Sequence, residues 1–173
     1  VNFKYFGSTE YMFENLSLNI EKNKHTVITG LNGTGKSTLI GLMSGIYFPM
    51  EGSVKAFSDN FGYVGPLPLI IDSTIKENLR YGNTKDISDD KLYELIKLFD
   101  LFNGEVPDLD LEINNKSLSS GQMQKISFIR VMLADVDILF LDESTSNLDT
   151  DTKNKIYSVL NKLEITIVNS THS

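Results

Sequence analysis

Residues 30–37 read Gly30-Leu31-Asn32-Gly33-Thr34-Gly35-Lys36-Ser37, and no other stretch constrains the fold of this chain as tightly. The spacing G-x-x-x-x-G-K-[ST] is that of a phosphate-binding loop. Its chemistry explains its residue types. Gly33 and Gly35 let the backbone curl until its N–H groups face a polyphosphate. Lys36 has the reach for β- and γ-phosphates, and Ser37 offers a hydroxyl to Mg²⁺. Such a loop joins a strand to a helix. Lys24-His25-Thr26-Val27-Ile28-Thr29 reads as a short β-branched strand. Ser37 to Ile46 reads as a helix whose positive dipole end would face the anion.

The chain has 173 residues, enough for one domain with a full core. Lys and Arg total 16 against 23 Asp and Glu, a formal charge of −7. That balance argues against a nucleic-acid-binding surface, so no nucleic-acid partner is expected. No apolar run approaches the ~20 residues that span a bilayer. Leu67–Ile71 and Ile138–Leu141 are core-sized. Val1-Asn2-Phe3-Lys4-Tyr5-Phe6 reads as a strand and not as a signal peptide. With no cysteine and only His25 and His172, neither a disulfide nor a zinc cluster is expected.

Val1–Phe6 and Leu16–Ile20 read as strands ahead of the loop, separated by the turn-like Gly7-Ser8-Thr9-Glu10. Gly52–Phe57 and Phe61–Val64 read as a further pair. Ser88 has the chemistry of a helix cap, with Asp89 and Asp90 in the first turn and Leu92, Leu95, Ile96 and Phe99 on one face. A helix after Gly121 aligns Ile126, Ile129 and Leu133. Ile138-Leu139-Phe140-Leu141 is a strand apolar on both faces, as parallel sheets require. Ile156, Val159, Leu160 and Leu163 define another helix, and Ile165–Val168 a last strand. The alternation after residue 24 predicts an α/β core around a mainly parallel sheet.

Asp142 and Glu143 end the buried strand, where α/β proteins place ligands. An Asp there can hold nucleotide-bound Mg²⁺. A neighbouring Glu can orient or deprotonate a water that attacks the γ-phosphate. Without the phosphate loop, the same pair would read as a strand ending in solvated acids.

Three further segments lie in a telling order. Leu118-Ser119-Ser120-Gly121-Gln122 closely resembles the L-S-G-G-Q signature of ATP-binding cassette (ABC) ATPases. Ser144-Thr145-Ser146-Asn147-Leu148-Asp149 is similar to the family's D-loop, and His172 to its switch histidine. The resemblance runs over essentially the whole chain. It implies a nucleoside triphosphatase core with a mainly parallel sheet, a small N-terminal antiparallel β-subdomain and a helical subdomain carrying the signature. The core would comprise residues 1–65 and 134–173, and the helical subdomain about 73–133. The resemblance also implies ATP and Mg²⁺ as cofactors. Asn32, Gly33, Thr34, Gly35, Lys36, Ser37 and Thr38 would surround the phosphates, with Ser37 and Asp142 on the metal. Glu143, His172 and Lys36 would serve catalysis. Tyr5 matches the aromatic residue that stacks on adenine, with Phe3 and Phe6 as rivals.

Two copies of such a domain pack head to tail in this family. Ser119, Ser120, Gly121 and Gln122 of one would meet the ATP on the other, and Asp149 would contact the opposite loop. Asp142 to Asp149 resembles the D-E-A-T-S-A-L-D run of exporters, and Thr74–Leu79 with Tyr81-Gly82 resembles their T-I-x-E-N-I-x-x-G run. The implied role is ATP-driven export on the cytoplasmic side of a membrane. The implied partners are a second nucleotide-binding domain, in a homodimer, and a transmembrane domain fused upstream, the chain being a fragment of a longer protein.

The sequence also departs from the pattern. Pro66 falls where the Q-loop glutamine belongs. The segment between Gly52 and Val64 is short. Glu112–Ser117 lacks the exporters' glycine-rich pattern, with Asn available for left-handed turns. Ser120 replaces the first signature glycine, which a negative φ permits. Two other readings stand beside the exporter: a dimerisation module that binds ATP with weak or no hydrolysis, and a soluble, non-transport ABC ATPase.

Overall fold

The computed structural model describes residues 1–172. In chain order the elements are β1 (His25–Thr29), α1 (Lys36–Met43), β2 (Phe61–Val64), β3 (Ser73–Thr74), α2 (Ile75–Arg80), α3 (Asp89–Leu98), β4 (Glu112–Ile113), α4 (Ser120–Ala134), β5 (Ile138–Asp142), α5 (Thr150–Leu160) and β6 (Thr166–Thr171). They fall into two compact units. The first holds Val1–Tyr63, Asp137–Glu143 and the chain from Ile165 onward; the second holds Val64–Val136 and Ser144–Glu164.

The first unit is built on a four-stranded sheet of order β1-β6-β5-β2. β6 runs parallel to both β1 and β5, pairing Thr29 with Thr171 and Asp142 with Ser170. All five residues of β5 are buried, as its unbroken apolar run requires. Ile40 of α1 packs with Ile138, Phe140 and Val168, so the helix after the phosphate loop is anchored to the strand that ends in the acids. α1 closes at Met43, earlier than Ile46, because Gly45 takes φ +77° after a last turn in which the Ser44 N–H bonds Ile40.

The N-terminal antiparallel region is sparser than its β-rich sequence predicts. Asn2 bridges Glu51 and Phe3 bridges Phe13, both antiparallel. Neither Leu16–Ile20 nor Gly52–Phe57 forms a ladder. The physical reason lies in the short stretch between Glu51 and β2. Its last residues are spent on a turn, in which the Ser58 hydroxyl accepts from the Asn60 N–H and donates to Asp137. Residues 52–57 are left without a partner ladder, and β-propensity alone then has little effect.

The second unit is helical, with one small antiparallel sheet of β3 and β4. Leu92, Leu95, Ile96 and Phe99 are buried as their spacing predicts, as are Ile126, Ile129 and Leu133 of α4. Phe99 and Phe128 stack at 6.4 Å. Each such buried ring contributes about 1.5–3 kcal/mol. The short helix α2 is held by polar groups. Thr74 caps it, accepting from the Glu77 N–H. Asn78 is fully buried and bonds both backbone groups of Ile71 at 3.0 Å. Arg130 donates to the Asn78 and Leu69 carbonyls. The Asn of the exporter-like run is therefore a structural knot within this unit. The turn before α4 does not use left-handed asparagine. Asn114 instead accepts from the N–H groups of Lys116 and Ser117.

Candidate nucleotide-binding site

The phosphate loop connects β1 to α1 within the first unit. Gly33 and Gly35 adopt φ +78° and +95°, left-handed values that disfavour side chains. Gly35 is constrained twice, because a Cβ there would lie 2.9 Å from Met12 Sδ and Phe13 Cζ. Thr34 braces the loop by donating its hydroxyl to the Leu31 carbonyl at 2.8 Å. Gly35 is the N-cap of α1, and no side chain caps that helix. Its first turn thus leaves N–H groups without a side-chain acceptor, the arrangement of an anion site.

Lys36 is 6% exposed. Its ammonium donates to the Gly30 and Leu31 carbonyls at 2.8 and 2.9 Å and lies 3.7 Å from Glu143 Oε1. A buried cation at a positive helix end is favourable only beside compensating negative groups. Here the loop carbonyls and a carboxylate supply them.

Asp142 is buried and receives three hydroxyls. Ser37 and Ser170 donate to Oδ1 at 2.9 and 2.7 Å, and Tyr63 donates to Oδ2 at 3.3 Å. Burial, and then the adjacent Asp142 charge, push the Tyr63 phenol up to about 12, so it stays a donor. Glu143 sits at φ +51°, an uncommon value for a non-glycine residue, and its N–H donates to the Ser170 carbonyl at 3.1 Å. Its Oε2 is 2.9 Å from His172 Nε2. Lys36, Ser37, Asp142, Glu143 and His172 therefore share one bonded cluster at the ends of β5 and β6. Tyr5 hydrogen-bonds through its hydroxyl to Thr38 Oγ1 at 2.5 Å. Of its rivals, Phe3 is buried and Phe6 fully exposed. Asn32 is exposed in the loop.

Ser170 and Tyr63 escaped the sequence reading. Ser170 lies in β6 two residues before His172, a period-2 spacing that could have found it. Tyr63 carries no motif.

The remaining candidates form a group of their own in the second unit. Ser119 caps α4 by accepting from the Gln122 N–H, and Gln122 accepts in return from the Ser119 N–H at 2.8 Å. Ser120 opens the helix and is absent from the positive-φ positions, so the lost glycine is tolerated. A Cβ on Gly121 would lie 3.1 Å from Thr152 Oγ1, and that hydroxyl donates to Asp149 at 2.7 Å. Asp149 also caps α5 through the Thr152 N–H, and this bond holds its carboxyl below the usual range. The signature and D-loop segments are thus neighbours. Pro66 is exposed, and the carbonyl just before it, on Gly65, accepts from Gln124 Nε2 at 2.9 Å. The same amide nitrogen donates to the Ser144 carbonyl at 2.5 Å.

The hydroxyl of Ser37 and the carboxylate of Asp142 are hard oxygen donors, suited to Mg²⁺. No group of three or more His, Cys, Asp or Glu able to hold a metal occurs among the described residues. A cation here would be completed by water and phosphate, which is how Mg²⁺ is commonly held. No helix among the described residues is long and apolar enough to cross a membrane.

The chain is similar to known proteins over most of its length. The sequence model of the ABC transporter family matches residues 13–146. ABC transporter B family member 17 of Arabidopsis thaliana is 32% identical over 174 residues, covering 89% of this chain and 14% of that protein. The ATP-dependent permease MDL1 of Candida albicans is 32% identical over 183 residues, covering 93% of this chain and 27% of the permease. A bacterial Atm1-family ABC exporter solved with ATP bound superimposes with a TM-score of 0.85 at 26% identity, over 100% of this chain and 33% of the exporter chain. The chain thus spans a third or less of these relatives' lengths. By its family match and by its fold, it belongs to the ABC transporter family, as an ATP-binding domain of exporter type.

Proposed function

We propose that this domain binds and hydrolyses Mg-ATP, dimerises around it, and so powers export through a membrane domain. One observation carries the reading: Ser37 to Asp142 at 2.9 Å, Lys36 to Glu143 at 3.7 Å and Glu143 to His172 at 2.9 Å form one cluster beside an uncapped helix. Each contact has a counterpart in the reaction. Lys36 exchanges the Gly30 and Leu31 carbonyls for β- and γ-phosphate oxygens. Glu143 turns from His172 to a water and takes its proton as the water oxygen bonds the γ-phosphorus and the bond to the β–γ bridging oxygen breaks, releasing ADP and phosphate. His172 contacts the γ-phosphate and registers its loss. Ser37 and Asp142 hold Mg²⁺, which when bound offsets charge on the phosphates. Tyr5 contacts the adenine.

Ser119, Ser120, Gly121 and Gln122 close the nucleotide of a second copy, with Asp149 against that copy's loop. Both groups are needed for one closed site, so ATP joins two domains and hydrolysis parts them. The transmembrane domain precedes this one in the parent chain and places it on the cytoplasmic face of a membrane. The great length of the relatives beyond the matched region supports that arrangement.

Calorimetric ATP binding together with light scattering tests the reading. Saturable Mg-ATP binding that raises the scattering mass toward twofold is expected. A protein that fails to bind ATP overturns it. Pro66 favours a second reading, of a domain that binds ATP well and turns it over slowly, since proline cannot present an amide to water or metal.

A further inference from the structure

Tyr5 sits on a stretch with almost no ladder to hold it. The last backbone bridge before it is Phe3 to Phe13, and Tyr5 itself lies outside any strand. Side chains therefore set where its ring stands. Three do so. Phe3 meets it edge-to-face at 5.2 Å and 79°, and Tyr47 at 5.6 Å and 86°. Thr38, one residue past Ser37 in α1, bonds its hydroxyl. Phe3 and Tyr47 also touch each other at 5.6 Å, closing an aromatic triad.

Tyr47 is the member of the triad tied to the phosphate-loop helix. Its N–H donates to the Gly41 carbonyl of α1 at 3.0 Å. Its ring lies so close over Gly41 that a Cβ there would meet ring carbons at 2.4 and 2.6 Å. Gly41 is buried in the helix middle, a position where glycine is intrinsically costly. The ring above it leaves no room for a side chain. Three residues on, the Met50 N–H bonds the Asn2 carbonyl and joins the same segment to the N-terminal stretch.

We propose that Tyr47 is a positioning residue for nucleotide binding. Seated on Gly41, it holds the Tyr5 ring at a fixed place relative to α1 and so sets the span between the base contact and the phosphate loop. The proposal rests on the reading of Tyr5 as the adenine contact. Its consequence is specific. Loss of Tyr47 weakens recognition of the base and leaves recognition of the phosphates alone.

The test is calorimetric titration of the chain with Mg-ATP and, separately, with Mg-tripolyphosphate, which has no base. Tyr47→Leu is expected to weaken ATP binding about three- to tenfold, the range of an aromatic pair's contribution. Gly41→Ala, which displaces the ring while improving helix propensity, is expected to copy it. Tyr47→Phe keeps the ring and is expected to bind ATP as wild type does. Tripolyphosphate affinity is expected to stay constant in all three. If Tyr5→Ala weakens ATP binding and Tyr47→Leu does not, the positioning role is overturned while Tyr5 keeps its own. If neither matters, both fall. Parallel loss of ATP and tripolyphosphate affinity in Tyr47→Leu also overturns the proposal, because the defect then lies in the loop and not in the base contact.

Discussion

Helices α1 and α4 both begin at segments whose sequence points to an anion, yet they begin in opposite ways. α1 starts from Gly35 in a left-handed conformation with no side-chain cap. α4 starts from Ser119 with a complete capping box, Ser119 and Gln122 each satisfying the other's N–H. The first start has no side-chain acceptor of its own, and the second carries one. Such a box contributes about 1 kcal/mol to the helix that holds it. The difference separates the two tasks. In the proposed function α1, with no side-chain cap on its amides, binds the phosphates first. In the same reading α4, capped from within, meets the nucleotide of a second copy. The buried lysine follows the same logic, since Lys36 is satisfied by the loop's own carbonyls, which phosphate would replace in the proposed function.

The comparison breaks most visibly if chemistry does not reside on the α1 side. Glu143→Gln is expected to leave ATP binding intact and slow hydrolysis roughly 10²-fold or more, the typical weight of a positioned base. The stalled protein is expected to persist as an ATP-dependent dimer in light scattering. Wild-type phosphate release from this variant would take Glu143 out of the reaction and detach the α1 cluster from catalysis.

Lys36→Ala acts one step earlier. A charge-assisted bond lost to phosphate is expected to weaken ATP binding by about 10- to 100-fold. Circular dichroism is expected to stay at the wild-type spectrum, because Lys36 serves the ligand and is not a core side chain. Unaltered ATP affinity in calorimetry would remove the phosphate-loop assignment.

Legibility differed between the two regions for physical reasons. The phosphate loop is local: eight consecutive residues carry its geometry, so Gly35, Lys36 and Ser37 could be placed without knowing the sheet. Asp142 and Glu143 were readable because an unbroken apolar run announced a buried strand and its end. The hydroxyls around Asp142 were not readable, because Ser170 reaches it through strand register and Tyr63 through a different strand. Strand propensity misled over Leu16–Ile20 and Gly52–Phe57, where the partner ladder is missing. In the helical unit the long amphipathic elements were plain. Six-residue α2 was hidden among family-like letters, although the spacing of Thr74 and Glu77 carried its cap signal.

Pro66 sharpens the comparison from the α4 side. Gln124 of α4 already holds the carbonyl of Gly65, so the loop is pinned just before the proline. Pro66→Gln would add an amide able to meet water or metal while leaving that pin in place. Positioning is a large share of phosphoryl-transfer catalysis. Steady-state turnover is therefore expected to rise several-fold, with ATP affinity little changed. Wild-type turnover already at the ~1–100 s⁻¹ usual for kinases, with no gain in the variant, would place the missing contact elsewhere.

The smallest expected effect bears most directly on the two helix starts. Ser119→Ala removes the acceptor for the Gln122 N–H and frees Gln122 from its half of the box. The cost is expected to be about 1 kcal/mol. For a chain of this size that lowers Tm by about 2–4 °C. No ligand is needed to see it, since the cap is internal to α4. ATP is expected to raise the Tm of wild type and variant by equal amounts at low protein concentration, because the monomer's nucleotide ligands lie at α1. At concentrations where dimers form, the variant is expected to gain less, because the same serine then faces the partner's nucleotide. Thermal unfolding of both proteins at two concentrations, with and without Mg-ATP, separates the contributions. An unchanged Tm without ligand would show that the box adds nothing and that α4, like α1, takes its stability from elsewhere.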